Sequence, residues 1–149
     1  MANLRQFCTF SVADLYLAID VLEVQEVIRY QEMTRVPTAP RVVRGLINLR
    51  GQIVTAIDLR RRLDLPPAPD DQRPMNVVIR TDDGAVSLLV DEIGDVLEFE
   101  CHKLERPPAT VPAVVRELVT GIIMLEDRLL LVFDTARLMN FAGTPALLS

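Results

Sequence analysis

The chain is 149 residues long, half of them hydrophobic, with a net charge of −5. That length suits one compact domain or two very small ones, and the acidic balance excludes nucleic acid as a natural partner, because phosphate binding needs clustered excess cation. Aromatic residues make up 5% and tryptophan is absent, so the core must be built from Val, Leu and Ile, which favours strands.

Gln6–Phe10 reads as a first strand and Leu15–Ile19 as its hairpin partner, turning near Ala13 and Asp14. A helical turn is expected over Val21–Val24, then an extended stretch over Gln25–Tyr30. Pro37 and Pro40 mark a loop. Two apolar runs, Gly45–Leu49 and Ile53–Ile57, flank Arg50-Gly51, where a glycine supplies the positive φ of a tight turn. Asp58 is placed to cap a short helix, Leu59–Leu63. Residues 66–74, rich in Pro and Asp, read as a linker. Asn76–Arg80 and Ala85–Val90 form a second hairpin across Asp82-Asp83-Gly84. A short strand is expected at Val96–Phe99, and Pro107, Pro108 and Pro112 mark another loop. Val119–Leu125 and Leu129–Phe133 pair across Glu126-Asp127-Arg128, and Asp134 caps a final helix, Thr135–Phe141.

This order repeats. Ile19-Asp20 matches Val90-Asp91, Val24 and Val27 match Ile93 and Val96, and Pro37 matches Pro107. Val43, Gly45, Leu49, Ile53 and Asp58 match Val119, Gly121, Leu125, Leu129 and Asp134. Two repeat halves, 6–65 and 75–141, therefore predict two small barrels of about five strands each. A barrel that small buries little apolar surface alone, so the two should share a core and leave a groove at their junction.

The expected class is a reduced, soluble, cytoplasmic protein. Cys8 and Cys101 fit no metal or redox spacing and both lie in apolar, strand-like contexts. The first residues lack the basic-then-apolar pattern of a signal peptide, and no apolar run approaches a membrane span of about 18 residues. Met1 lies close to the first strand and the last helix close to Ser149, which reads as a free-standing chain.

No catalytic constellation is present. The one histidine, His102, has neither an oxyanion nest nor a strained nucleophile turn around it, and Gly45 to Gly51 encloses an apolar strand instead of a phosphate loop. Neither a metal nor a cofactor is expected. Arg60-Arg61-Arg62 reads as the solvated face of a short helix ahead of a phosphate site. Glu26 interrupts an apolar face between Val24 and Val27, and Arg50 tips an apolar hairpin. They are either exposed charges at element ends or a facing pair beside an apolar groove, which would contribute orientation and partner choice more than stability.

Val36-Pro37-Thr38-Ala39-Pro40, followed by the block from Val43 through Asn48-Leu49-Arg50-Gly51 to Leu59, closely resembles the signature of the CheW family of bacterial chemotaxis coupling proteins. Val24-Gln25-Glu26-Val27 and the stretch from Leu89 to Val96 resemble family counterparts, so the likeness runs from about Gln6 to Met139. One departure is Thr55-Ala56, where the family usually carries a proline. The resemblance implies an all-β fold: two intertwined five-stranded Src-homology-3-like barrels with a shared apolar core. It implies a non-enzymatic adaptor, gathered at the inner face of the membrane in arrays, that links the cytoplasmic tips of methyl-accepting chemoreceptors to the regulatory domain of the histidine kinase CheA. Contacts between CheW copies in arrays are also implied. A module for another chemosensory system, such as twitching or gliding motility, is the alternative. By resemblance, Glu26, Asn48, Arg50 and Gly51 match positions tied to coupling. Val24, Val27, Gly45, Val86 and Leu88 match positions that line or neighbour the receptor and kinase surfaces, with plain core packing as the competing reading of the aliphatics.

Overall fold

Most long apolar runs become strands with both faces covered, which is why they read as continuous and not alternating. The computed structural model describes residues 4–141. In order the chain forms β1 (Leu4–Val12), β2 (Leu15–Asp20), a 3-10 turn (Val21–Glu23), β3 (Val24–Ile28), β4 (Val43–Leu49), β5 (Gln52–Asp58) and α1 (Leu59–Arg62). It continues with β6 (Met75–Thr81), β7 (Gly84–Val90), β8 (Glu92–Glu100), a second 3-10 turn (Cys101–Lys103), α2 (Ala113–Arg116), β9 (Val119–Met124), β10 (Leu129–Phe133) and α3 (Thr135–Leu138).

The strands assemble into two five-stranded sheets ordered β8-β1-β2-β10-β9 and β3-β6-β7-β5-β4. Each sheet draws strands from both sides of residues 66–74: the β1–β2 hairpin joins β8, β9 and β10, and the β6–β7 hairpin joins β3, β4 and β5. The exchange is made at four pairings, two parallel (β2 with β10, β5 with β7) and two antiparallel (β1 with β8, β3 with β6), and the hairpin pairs are antiparallel. The sequence-matched positions occupy corresponding places. Asp58 accepts from the Arg61 amide (3.3 Å) and Asp134 from the Arg137 amide (3.2 Å), capping α1 and α3 alike.

One apolar cluster joins the sheets. Phe10, Val12, Leu17, Ile19, Leu131 and Phe133 of one meet Ile57, Val77, Ile79, Leu88 and Val90 of the other. On their opposite faces each sheet curls over smaller clusters, around Phe7, Ala18 and Leu130 in the first, and around Ile47, Ala56, Val54 and Val78 in the second. Two of the four edge strands are covered: Thr34 bridges β4 at Leu46 and Glu105 bridges β9 at Ile122. Covering an edge removes a template for unwanted pairing.

Several expectations are corrected. β8 runs nine residues, not the four of Val96–Phe99, because it is an edge strand whose acidic outward residues mask the apolar pattern. The helix α2 falls inside the expected proline loop, and α3 ends at Leu138, short of Phe141. Cys101 sits in the second 3-10 turn and not in a strand.

The arginine run is not a solvated face. Arg60 donates to Asp91 through Nε (3.1 Å) and Nη2 (2.6 Å), tying α1 to the end of β7. Arg61 donates to the Arg41 carbonyl at 2.9 Å. Arg62 donates to the carbonyls of Leu138 (2.7 Å) and Arg137 (3.0 Å), so it closes the C-terminus of α3 from across the molecule. Burial pushes the Arg62 guanidinium down from its ordinary value.

Candidate functional site

The site is built on the β4–β5 turn. Leu49 faces Gln52, so Arg50 and Gly51 are the whole loop, and both have positive φ, 52° and 86°. Positive φ at both central residues is the requirement of a type I′ turn, whose twist matches the strands it joins. Asn48 Oδ1 accepts from the Gly51 amide at 2.9 Å and holds the turn closed. Glycine suits its position; arginine in the left-handed region does not, since its Cβ crowds the backbone there.

Arg50 reaches Glu26 of β3 with an ion-paired hydrogen bond. In the sheet order β3 and β4 are opposite edges, so this contact links the two ends of the sheet through side chains. The Arg50 side chain remains 66% exposed while that of Glu26 is 22% exposed. The hydrogen bond from Arg50 holds the Glu26 carboxyl below its usual range, and Glu26 in turn raises Arg50. Both groups stay charged at neutral pH and present a fixed guanidinium to solvent.

The other expected residues divide. Val27 lies one residue from Glu26 on β3, with 36% of its surface exposed, and Ile53, opposite Asn48, is exposed beside the turn. Val24 is half-buried against the shared core. Val86 and Leu88 belong to that core, at 7% and 0% exposure, as the core-packing reading of these aliphatics has it; a strand buried on both faces gives no period from which to separate core from rim. Gly45 is buried on β4, and a methyl added to it would stand 2.7 Å from the Thr34 carbonyl oxygen. It is a positioning residue that lets residue 34 lie against the edge strand.

The corresponding tip on the other sheet is built differently. Val96, matched to Val27, is also exposed, but Arg50-Gly51 is replaced by Glu126-Asp127. There Arg128 stacks its guanidinium 3.7 Å from the centre of the Tyr16 ring, and the Tyr16 hydroxyl donates to Thr9 Oγ1 at 3.0 Å. Sequence reading missed this stack, which joins residues more than a hundred positions apart.

Two interlocked five-stranded sheets, with a charged hairpin tip and no helix among the described residues long and apolar enough to cross a membrane, define an all-β protein whose candidate site is a surface. The chain belongs to the CheW-like family: the family model for the CheW-like domain matches residues 6–142. It is 32% identical over 136 residues to a chemotaxis protein CheW of Bacillus subtilis, covering 91% of this chain and 87% of that one. A chemotaxis protein CheW of Klebsiella aerogenes is 29% identical over 136 residues, with 91% and 82% covered. The crystal structure of the scaffolding protein TtCheW from Thermoanaerobacter tengcongensis superposes with a TM-score of 0.82 at 25% identity, covering 96% of each chain.

Proposed function

We propose that this chain is a non-enzymatic adaptor that couples the cytoplasmic tips of chemoreceptors to the regulatory domain of the histidine kinase CheA, held in arrays at the inner face of the membrane. The contact surface is the β4–β5 tip: Glu26, Asn48, Arg50 and Gly51, with Val27 and the rim of Val24 beside them. The observation that carries the reading is Arg50, a bulky cation kept in a backbone region that resists it and pinned to Glu26 while most of its side chain faces solvent. The relatives named chemotaxis protein CheW, and the scaffolding structure, support the pathway.

An exposed ion pair adds little stability, so its use lies in recognition. A helix laid against Val27 and Ile53 would bury modest apolar area, and ordering costs would offset much of the gain. Many such contacts acting together in an array recover the strength. Signal transfer then requires that the partner's states make different contacts with this tip.

Arg50→Ala, Glu26→Ala and the reversed pair Glu26→Arg/Arg50→Glu test it, by receptor-stimulated phosphorylation of CheA and by thermal unfolding. Both single variants should keep the melting transition and lose most of the stimulation, and the reversed pair should restore the intramolecular bridge without restoring the stimulation. Normal stimulation by both single variants would remove the tip from the site.

A further inference from the structure

A second surface lies at the opposite end of β4. The chain is acidic overall, yet residues 29–63 hold eight arginines against two carboxylates, Glu32 and Asp58. Four of those arginines, Arg35, Arg41, Arg44 and Arg61, surround an open concavity of about 560 Å³ together with Pro37 and Pro40. Asp58 is the nearest counter-charge, and it is shared between Arg44 (3.4 Å) and Arg61 (3.5 Å) while its other oxygen caps α1. Arg35 and Arg41 are exposed and have no carboxylate partner among the described residues. The concavity therefore keeps an uncompensated positive charge on a protein that is otherwise negative.

We propose that this concavity docks an acidic, extended peptide segment of a partner protein. Every side-chain donor lining it is a guanidinium, whose planar fork matches a carboxylate with two parallel hydrogen bonds. A guanidinium fork also binds phosphate, so a free phosphate is the competing outcome that the test separates. Arg35 and Arg41 carry free forks that can each take a different carboxylate along one chain, while Arg44 and Arg61, partly engaged by Asp58 and the Arg41 carbonyl, add to the positive field. The prolines fix φ on the loop beside them, which limits what the loop loses on binding. Six residue steps along β4 separate Val43 from Leu49, roughly 20 Å of strand, so this surface and the Arg50 tip can be occupied at the same time.

The test is fluorescence anisotropy with a labelled octaglutamate peptide on the full chain, at low and at 0.3 M NaCl, with octaglutamine as the uncharged control. The Arg35→Gln/Arg41→Gln double variant should bind octaglutamate at least fivefold more weakly, and salt should erase that difference by screening it. Arg106→Gln/Arg116→Gln makes the same change of charge at two exposed arginines elsewhere and should stay within twofold of the parent chain. Equal weakening in both double variants, binding of octaglutamine, or no saturable binding would overturn the proposal. Displacement of the peptide by inorganic phosphate at equal concentration would overturn it as well, assigning the cluster to a free anion. Both variants leave Glu26 and Arg50 intact, so failure here is separate from failure of the coupling tip.

Discussion

Replacing Gly45 with alanine isolates one close approach. The added methyl would stand 2.7 Å from the Thr34 carbonyl oxygen and 3.1 Å from Met33 Cβ, and the first of these neighbours is backbone. Relief requires residue 34 to leave the edge of β4, breaking two hydrogen bonds, Thr34 amide to Leu46 carbonyl and Leu46 amide to Thr34 carbonyl, both 2.8 Å. Each is worth about 1 kcal/mol net, so roughly 2 kcal/mol is lost. Restricting the unfolded chain returns about 0.4–1 kcal/mol, which leaves Gly45→Ala destabilised by roughly 1–2 kcal/mol. Gly121 is the internal control. It makes the same approach to Glu105 with the same pair of 2.8 Å hydrogen bonds, but a methyl there meets the carbonyl oxygen at 3.0 Å. A shift of a few tenths of an ångström accommodates it, so Gly121→Ala should cost less than half as much. Urea unfolding of both variants at an unchanged m-value measures the difference. A Gly45→Ala protein as stable as the parent, or a Gly121→Ala protein that is the weaker of the two, would refute the close-approach argument.

Thr55 Oγ1 is buried without a hydrogen-bond partner among the described residues, so Thr55→Val should stabilise the chain by about 1 kcal/mol in the same assay, and a loss of stability would refute this. Leu88 is fully buried, so Leu88→Ala should cost about 2–5 kcal/mol, unlike Arg50→Ala, which should leave unfolding unchanged. For Asp91, burial raises the carboxyl, but hydrogen bonds from Arg60 and the Ala13 amide outweigh it and hold the group below its ordinary value of about 3.9. A depressed folded value stabilises the protein above that pH, and the stabilisation is lost as pH falls through the folded value. Asp91→Asn should therefore be less stable at pH 7 and show a shallower decline below pH 4, read from thermal melts across pH; an unchanged acid limb would exclude the pair.

The strands were legible because their side chains state their environment. Leu129–Phe133 is apolar on both faces, and in the structure both faces are covered, whereas Val119–Met124 keeps Thr120 and Met124 exposed on one face. Turn chemistry was equally local, as at Gly84 with φ 113° or at the caps Asp58 and Asp134. The exchange of hairpins between sheets was not readable from period. It depends on β5 choosing β7, β10 choosing β2, β8 choosing β1 and β3 choosing β6, pairings set by which surfaces fit and not by any pattern within a strand. The same blindness left Val86 and Leu88 open between core and surface, because a two-sided apolar strand looks alike whichever face a partner uses. Arg60, Arg61 and Arg62 looked uniform in sequence, yet three directions around a single helical turn send them to a carboxylate, a loop carbonyl and the end of a distant helix.

Arg50 is where local rules and structure part in an informative way. A two-residue turn with positive φ at both positions favours Asn-Gly or Gly-Gly, and Gly51 meets that preference. Arginine at the first position works against it, and its ion pair with Glu26 is too exposed to explain the choice through stability. The matched tip on the other sheet shows that the architecture does not require an arginine there, since Glu126 and Asp127 stand in its place and Arg128 turns instead onto Tyr16. A residue that local conformation disfavours, that packing does not need and that the duplicated copy lacks is one whose reason lies outside the fold, in whatever the tip touches.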